Sequence, residues 1–166
     1  MAIDLRTHLS IVESAVGDPR DGLPADVFLF VSRITPLINV DLLIQDDGRT
    51  LLTWRDDEFF GAGWHVPGGI IRFKESTADR IHACAGEELG ASVSPEDAPL
   101  LISETILGPD TRGHHVSLLY RCRLLSPPLD ARRAGLDRPL SGQWRWHDRC
   151  PSDLIESQGQ YARFFR

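Results

Sequence analysis

Between Gly68 and Ala91 the chain runs from a double glycine, through Glu75, to Glu87-Glu88-Leu89-Gly90. Five residues separate Gly69 from Glu75, and eleven separate Glu75 from Glu87. On a helix, Glu88 lies one turn beyond Cys84, and Glu87 one turn beyond Ala83. Both carboxylates then project from the last turn, about 100° apart. That placement suits one octahedral cation that keeps several waters. Gly68 and Gly69 have no side chain to keep a backbone carbonyl or amide away from a metal or a phosphate. Glu75 is either a further ligand or a favourable charge near the helix start. The stretch predicts a divalent cation held against a diphosphate.

Other residues have two readings each. Arg55 follows an apolar strand and is either a solvated strand end or a clamp that donates two parallel bonds to phosphate. Asp41 interrupts an apolar strand, so its carboxylate needs a partner. That partner is a ligand such as a guanine edge, a neighbouring backbone group, or an arginine. His114 and His115 offer imidazoles that titrate near neutral pH, or are an exposed pair at a strand start. Glu87 is the other candidate base. Cys84 reads as a packing residue, because a hard cation does not favour thiolate. His82 reads as a surface residue, and Trp64, Trp144 and Trp146 as core.

These residues must be positioned by surrounding elements. Residues 3–16 carry Ile3, Leu5, Leu9, Val12 and Val16 at helical spacing, ended by Gly17-Asp18-Pro19. Residues 26–33 fit a helix or a strand, and Pro24 in a first turn favours the helix. Residues 37–45 and 49–55 read as a hairpin around Asp46-Asp47-Gly48, followed by a loop over 56–63. A helix is predicted over 76–89 with Gly90 as its stop. Beyond it come a loop over 93–100 and strands over 102–107 and 115–125 around a Gly108–Gly113 turn. A polar loop over 127–139, a strand over 142–147 and a helix over about 151–165 complete the order. It predicts one domain over 1–166, a mixed sheet with helices packed against it, α/β or α+β.

With 166 residues, 42% of them apolar, the chain has enough material for one sizeable core. The formal net charge of −6 argues against nucleic acid or an anionic membrane as the main partner. It permits small anions, because a bound cation reverses the local field. The three cysteines form no CxxC pair, so neither a zinc site nor a disulfide framework is expected. The first residues lack a basic and apolar leader pattern, and no run reaches the roughly eighteen apolar residues of a membrane span. A cytoplasmic setting is expected.

The glycine-to-glutamate spacing resembles the Nudix box, G-x5-E-x7-R-E-U-x-E-E-x-G-U, in which U is a bulky apolar residue. Gly69, Glu75, Glu87, Glu88 and Gly90 match, whereas Ala83 and Cys84 stand at the arginine–glutamate pair and Ala85 and Ala91 at the U positions. Over roughly residues 24–125 the chain is similar to the GDP-mannose mannosyl hydrolase branch of that family. The similarity rests on Thr35-Pro36-Leu37, Val40-Asp41, Leu51-Leu52, Arg55, and Gly63-Trp64-His65-Val66-Pro67-Gly68-Gly69. The resemblance implies a Nudix α/β/α sandwich, with residues 1–35 as a helical extension and 36–166 as the core. It implies Glu88 as the essential magnesium ligand, a metal contact at the Gly68 carbonyl, and Asp41 and Arg55 on the nucleotide side. The implied activity is hydrolysis of a nucleoside diphosphate linked to another moiety, a nucleotide sugar such as GDP-mannose. The alternative is a nucleotide-binding module without turnover. Ile70, Ala83, His115, Leu140 and Ser141 depart from that branch's residues, and His114 keeps its histidine. The branch and the apolar helical pattern of the first thirty or so residues also suggest a homodimer.

Overall fold

The computed structural model describes residues 4–108, 113–135 and 137–165. Two helices come first, α1 (Leu5–Val16) and α2 (Ala25–Ile34). The Asp4 side chain caps α1 by accepting from the Thr7 amide, and Pro24 precedes the first turn of α2. No residue of α1 is buried.

Strands β1 (Leu37–Asp46) and β2 (Arg49–Asp57) form the expected hairpin. Asp47 and Gly48 both have positive φ, 47° and 77°, which matches the twist of the flanking strands. β1 is the hub. It pairs with β2 at Gln45–Thr50, antiparallel with β4 (Gly68–Ile70), and in parallel with β7 (His114–Leu124). β2 also carries β3 (Gly61–His65) and β8 (Trp144–His147), and β7 carries β5 (Val93–Pro95) and β6 (Leu101–Ile106). The result is a mixed sheet, and its two faces bury different cores. Val40, Leu42 and Ile44 pack with Ile81, Cys84, Ala85 and Leu89 beneath α3 (Thr77–Cys84). Leu43, Leu52, Trp54, Trp64 and Leu119 pack on the other face with Tyr161, from a 3₁₀ helix over Glu156–Phe164. The architecture is the expected sandwich about a mixed sheet.

Four expectations need correction or fall elsewhere. The loop over 56–63 is mostly strand, because β2 extends to Asp57 and β3 begins at Gly61. Within the expected loop over 93–100, Val93–Pro95 pairs with β7 as a short edge strand, where proline is tolerated. The closing helix begins only at Glu156 and is 3₁₀: the residues before it hydrogen-bond to Trp64 instead, Trp64 N to Asp153 O at 2.9 Å and Ile155 N to Trp64 O at 2.9 Å. Gly159 within it further weakens α-helix formation. Most of the Gly108–Gly113 turn, and Ile3, lie outside the described residues.

Ser76 caps α3, its Oγ accepting from the Asp79 amide at 3.1 Å. The last turn, Ala85–Leu89, widens into a π-turn that ends at Gly90, whose φ is 62°. Gly68 is sterically obligatory. A Cβ there would lie 2.4 Å from Val40 O and 2.5 Å from Asp41 Oδ1, whereas one at Gly86 would meet nothing within 4 Å. Gly68→Ala is expected to lower stability by about 1–3 kcal/mol in urea unfolding. Gly86→Ala, as its control, should leave stability unchanged or raise it by up to about 1 kcal/mol.

Candidate functional site

Strand alternation places Leu37, Asn39 and Asp41 on the same side of β1. The parallel register sets His115 and Ser117 of β7 beside them, and β4 supplies Gly68–Ile70 on the other flank. Arg55, Phe60, His65, Glu88 and Gln158 join them in lining a cavity of about 220 Å³.

Glu88 enters the cavity from the π-turn, its side chain 24% exposed. Its Oε1 accepts from the Gly68 amide at 2.9 Å, and its Oε2 accepts from the Thr53 hydroxyl at 2.7 Å. His65 Nε2 lies 3.4 Å from Oε2 and 3.1 Å from Thr53 Oγ1. Burial pushes the Glu88 carboxyl up, but the His65, Gly68 and Thr53 contacts outweigh it and hold the group below the usual glutamate range. Among the described residues, no lysine or arginine pairs with Glu88.

Asp41 lies at the cavity floor and is 5% exposed. Its Oδ2 accepts from the Tyr161 hydroxyl at 2.6 Å, and its Oδ1 accepts from Gln158 Nε2 at 3.4 Å. Burial pushes its carboxyl up to about 6, against the lowering effect of Tyr161 and Ser117, and the nearby Glu88 charge raises it further. The partner that the sequence demanded is therefore a tyrosine and an amide from the C-terminal 3₁₀ helix.

Arg55 reaches the cavity with its orientation fixed. Its Nε and Nη2 donate to Asp57 Oδ2 at 2.6 and 2.5 Å, and its guanidinium lies 4.5 Å from the Phe60 ring centroid. Asp57 Oδ1 meanwhile accepts from the Phe59 and Phe60 amides at 2.9 and 3.0 Å, fixing the hairpin tip on which Phe60 stands.

The structure divides the predicted site residues. Gly68, Gly69, Glu88, Asp41, Arg55 and His115 line the cavity together. Glu87 and Glu75 do not line it. Glu87 Oε2 pairs with Arg80 Nη2 at 2.7 Å, and Glu75 accepts from the Arg72 amide at 2.8 Å with Arg80 Nε 4.0 Å from its Oε1. The expectation that both paired glutamates meet one cation is corrected: Glu88 turns inward and Glu87, 57% exposed, turns to Arg80. His114 projects to the opposite face of β7 and meets Glu104 at 3.0 Å, so it does not join the cavity. Cys84 is a buried packing residue, as expected, its thiol pushed up by burial to about 12.

Sequence reading missed Thr53, His65, Arg80, Gln158 and Tyr161. Arg80 left a signal. It lies seven residues before Glu87 on one helix face, and takes up both spare glutamates one turn earlier than the expected arginine position at Ala83. Gln158 and Tyr161 reach Asp41 across 117 and 120 residues, so no local spacing could announce them.

The donors present fit one hard cation better than a cluster. Among the described residues, no group of three or more His, Cys, Asp and Glu side chains is gathered as a metal set. The cavity nevertheless holds two carboxylates, Glu88 and Asp41, with oxygen donors suited to Mg²⁺. In the unfolded chain Asp41 titrates near 3.8, and in the fold near 6, so the folded state binds the extra proton between those values. Its contribution to stability therefore falls as pH rises from about 4 to 6. In metal-free buffer the stability of Asp41→Asn relative to wild type should rise over that window, read from urea midpoints. A pH-independent difference would contradict the burial argument.

No family model matches the chain. Low-salt glycan biosynthesis protein Agl8 from Haloferax volcanii is 36% identical over 78 residues, 47% of this chain. The match covers 50% of that relative, so the chain spans about half its length. A MutT NUDIX hydrolase from Burkholderia pseudomallei superposes with a TM-score of 0.62 at 22% identity, covering 78% of this chain and 97% of the other. A UDP-X diphosphatase superposes with a TM-score of 0.57 at 19% identity, covering 96% and 74%. The fold is that of the Nudix hydrolases.

Proposed function

We propose that this chain is a Nudix-type hydrolase acting, with Mg²⁺ or Mn²⁺, on a nucleoside diphosphate linked to another moiety, with a nucleotide sugar as the favoured substrate. The carrying observation is Glu88: a carboxylate set into the cavity by Gly68 and Thr53, with no lysine or arginine partner among the described residues, and sharing that cavity with Arg55. Glu88 would hold the cation beside Gly68, and the bound ion would neutralise charge on the diphosphate. Arg55, oriented by Asp57, would donate to the diphosphate oxygens as negative charge develops. His115 is the member of the histidine pair that lines the cavity, and His65 stands beside Glu88, so these are the imidazoles available to a reacting water. The names of two similar proteins, a glycan biosynthesis protein and a UDP-X diphosphatase, support a nucleotide sugar.

A second reading has its own observation. Cys84 stands at the acidic box position, and Arg80 engages Glu75 and Glu87. A site reduced in this way suits a module that binds a nucleotide without turnover. Incubating the pure protein with a panel of nucleotide sugars and Mg²⁺ separates the two. Metal-dependent products are expected, with Glu88→Gln lowering the rate by about 10²–10³. Tight binding without any product would reject the enzyme and leave the binding module.

The setting completes the reading. We take 36–166 as the core of a single domain and 1–35 as its helical extension, in a cytoplasmic protein. Leu5, Leu9 and Val12 of α1 are exposed, and Leu23, Phe28, Val31 and Phe73 line an apolar cleft of about 400 Å³. A second copy that covers these surfaces would form a homodimer. Light scattering at micromolar concentration should give twice the 18.6 kDa chain mass; a monomer mass would refute the dimer.

A further inference from the structure

We propose that His65 and Thr53 are positioning residues for Glu88: the imidazole holds the Thr53 hydroxyl, and the hydroxyl holds the carboxylate that is to meet the cation. The inference rests on the metal-dependent hydrolase reading. It assigns His65, one of the two cavity imidazoles, to the metal ligand rather than to the reacting water.

The direction of the relay follows from counting hydrogens. A threonine hydroxyl has one proton to give. Glu88 Oε2, 2.7 Å from Thr53 Oγ1, belongs to a carboxylate that can only accept, so the proton is spent there. Thr53 Oγ1 also lies 3.1 Å from His65 Nε2. With its own proton committed the hydroxyl must accept that bond, so Nε2 carries the ring hydrogen. The other ring nitrogen, Nδ1, is buried and has no hydrogen-bond partner among the described residues. Neither nitrogen therefore offers a lone pair to a water in the cavity: one is a donor, and the other lies out of reach. Among the described residues, the polar contacts of the ring run to Thr53 and Glu88.

The fold makes the relay rigid. Thr53 pairs with His65 of β3 on one flank and with Trp144 of β8 on the other, so its backbone is held from both sides, and it is fully buried. A β-branched side chain there has little rotational freedom. The Gly68 amide donates to Oε1 at 2.9 Å, so Glu88 accepts one bond at each oxygen, from β4 and from β2. Each oxygen keeps a second lone pair, and those remain for the cation. Hydrogen-bond partners behind a metal ligand set its affinity, and losing one costs about 10–100-fold.

Mn²⁺ binding to the metal-free full chain, followed by electron paramagnetic resonance of the free ion, tests this without turnover. Thr53→Val keeps the side-chain shape without the hydroxyl and should weaken Mn²⁺ by about ten-fold or more, whereas Thr53→Ser should stay within about three-fold of wild type. His65→Phe should also weaken it by about ten-fold, and His65→Gln, which keeps a donor, should recover most of that loss. Because the imidazole acts through the hydroxyl, the loss in Thr53→Val combined with His65→Phe should fall well short of the product of the two single losses. Wild-type affinity in Thr53→Val or in His65→Phe overturns the inference. So do single losses that multiply, or a Thr53→Ser variant that stays weak with a wild-type urea midpoint. Should Thr53→Val not fold, the histidine variants decide: loss in His65→Phe with recovery in His65→Gln supports the relay, and any other pattern overturns it. If the variants keep wild-type affinity while wild type turns over nucleotide sugars, the hydrolase reading stands and the relay falls alone. If wild type binds no Mn²⁺, the metal-dependent reading falls and the relay with it.

Discussion

The backbone of Gly68 lies against β1 so closely that no Cβ fits between them, and the geometry of the site depends on that contact. Three consequences follow from the one approach. Gly68 pairs with Asp41 across the strands, so the Asp41 carboxylate comes to lie beside a bare backbone. The Gly68 amide is then directed to Glu88, tying the end of the box helix to the sheet. Thr53, from the neighbouring hairpin, closes the same carboxylate from the other oxygen. A helix, a short edge strand and two long strands thus meet at one acidic group.

The chain also separates its acids. Arg80, 3% exposed beneath the helix, draws Glu87 and Glu75 outward, while Glu88 and Asp41 are left in the cavity. Burying a carboxylate is unfavourable, and Asp41 registers it by holding its proton to about pH 6, the nearby Glu88 charge adding to the effect of burial. Glu88 avoids the same fate through its donors. The folded chain therefore keeps one carboxylate held ionised by its donors and one acid whose ionisation a nearby cation would favour. Such an arrangement prepares a field for positive charge before any arrives.

How much of this was legible depends on distance along the chain. The Gly69–Glu75–Glu88–Gly90 spacing is local, and its helix, cap and αL stop follow from short-range rules. The hairpin at Asp47-Gly48 was readable for the same reason. The division of labour between Glu87 and Glu88 was not readable, because the π-turn that rotates the last helical turn depends on packing against the sheet. The C-terminal segment misled most. A helix is expected over about 151–165, but backbone pairing with Trp64 consumes residues 153–155, and the shortened 3₁₀ remainder delivers Gln158 and Tyr161 to a strand more than a hundred residues away. The histidine pair divided by simple alternation: on a strand, adjacent side chains must face opposite ways, so His114 and His115 could never both serve one cavity.

Asp57 shows how the site couples recognition to charge. One of its oxygens holds the Arg55 guanidinium, and the other holds the amides at the tip of the same hairpin. The Arg55 guanidinium and the Phe60 backbone are therefore set by a single carboxylate. Glu88 borders both the enclosed cavity and a second, more open cleft lined by Arg132, Ser141 and Gln143. Glu88 thus stands where an enclosed hollow of about 220 Å³ meets open solvent, a single carboxylate reached from both sides.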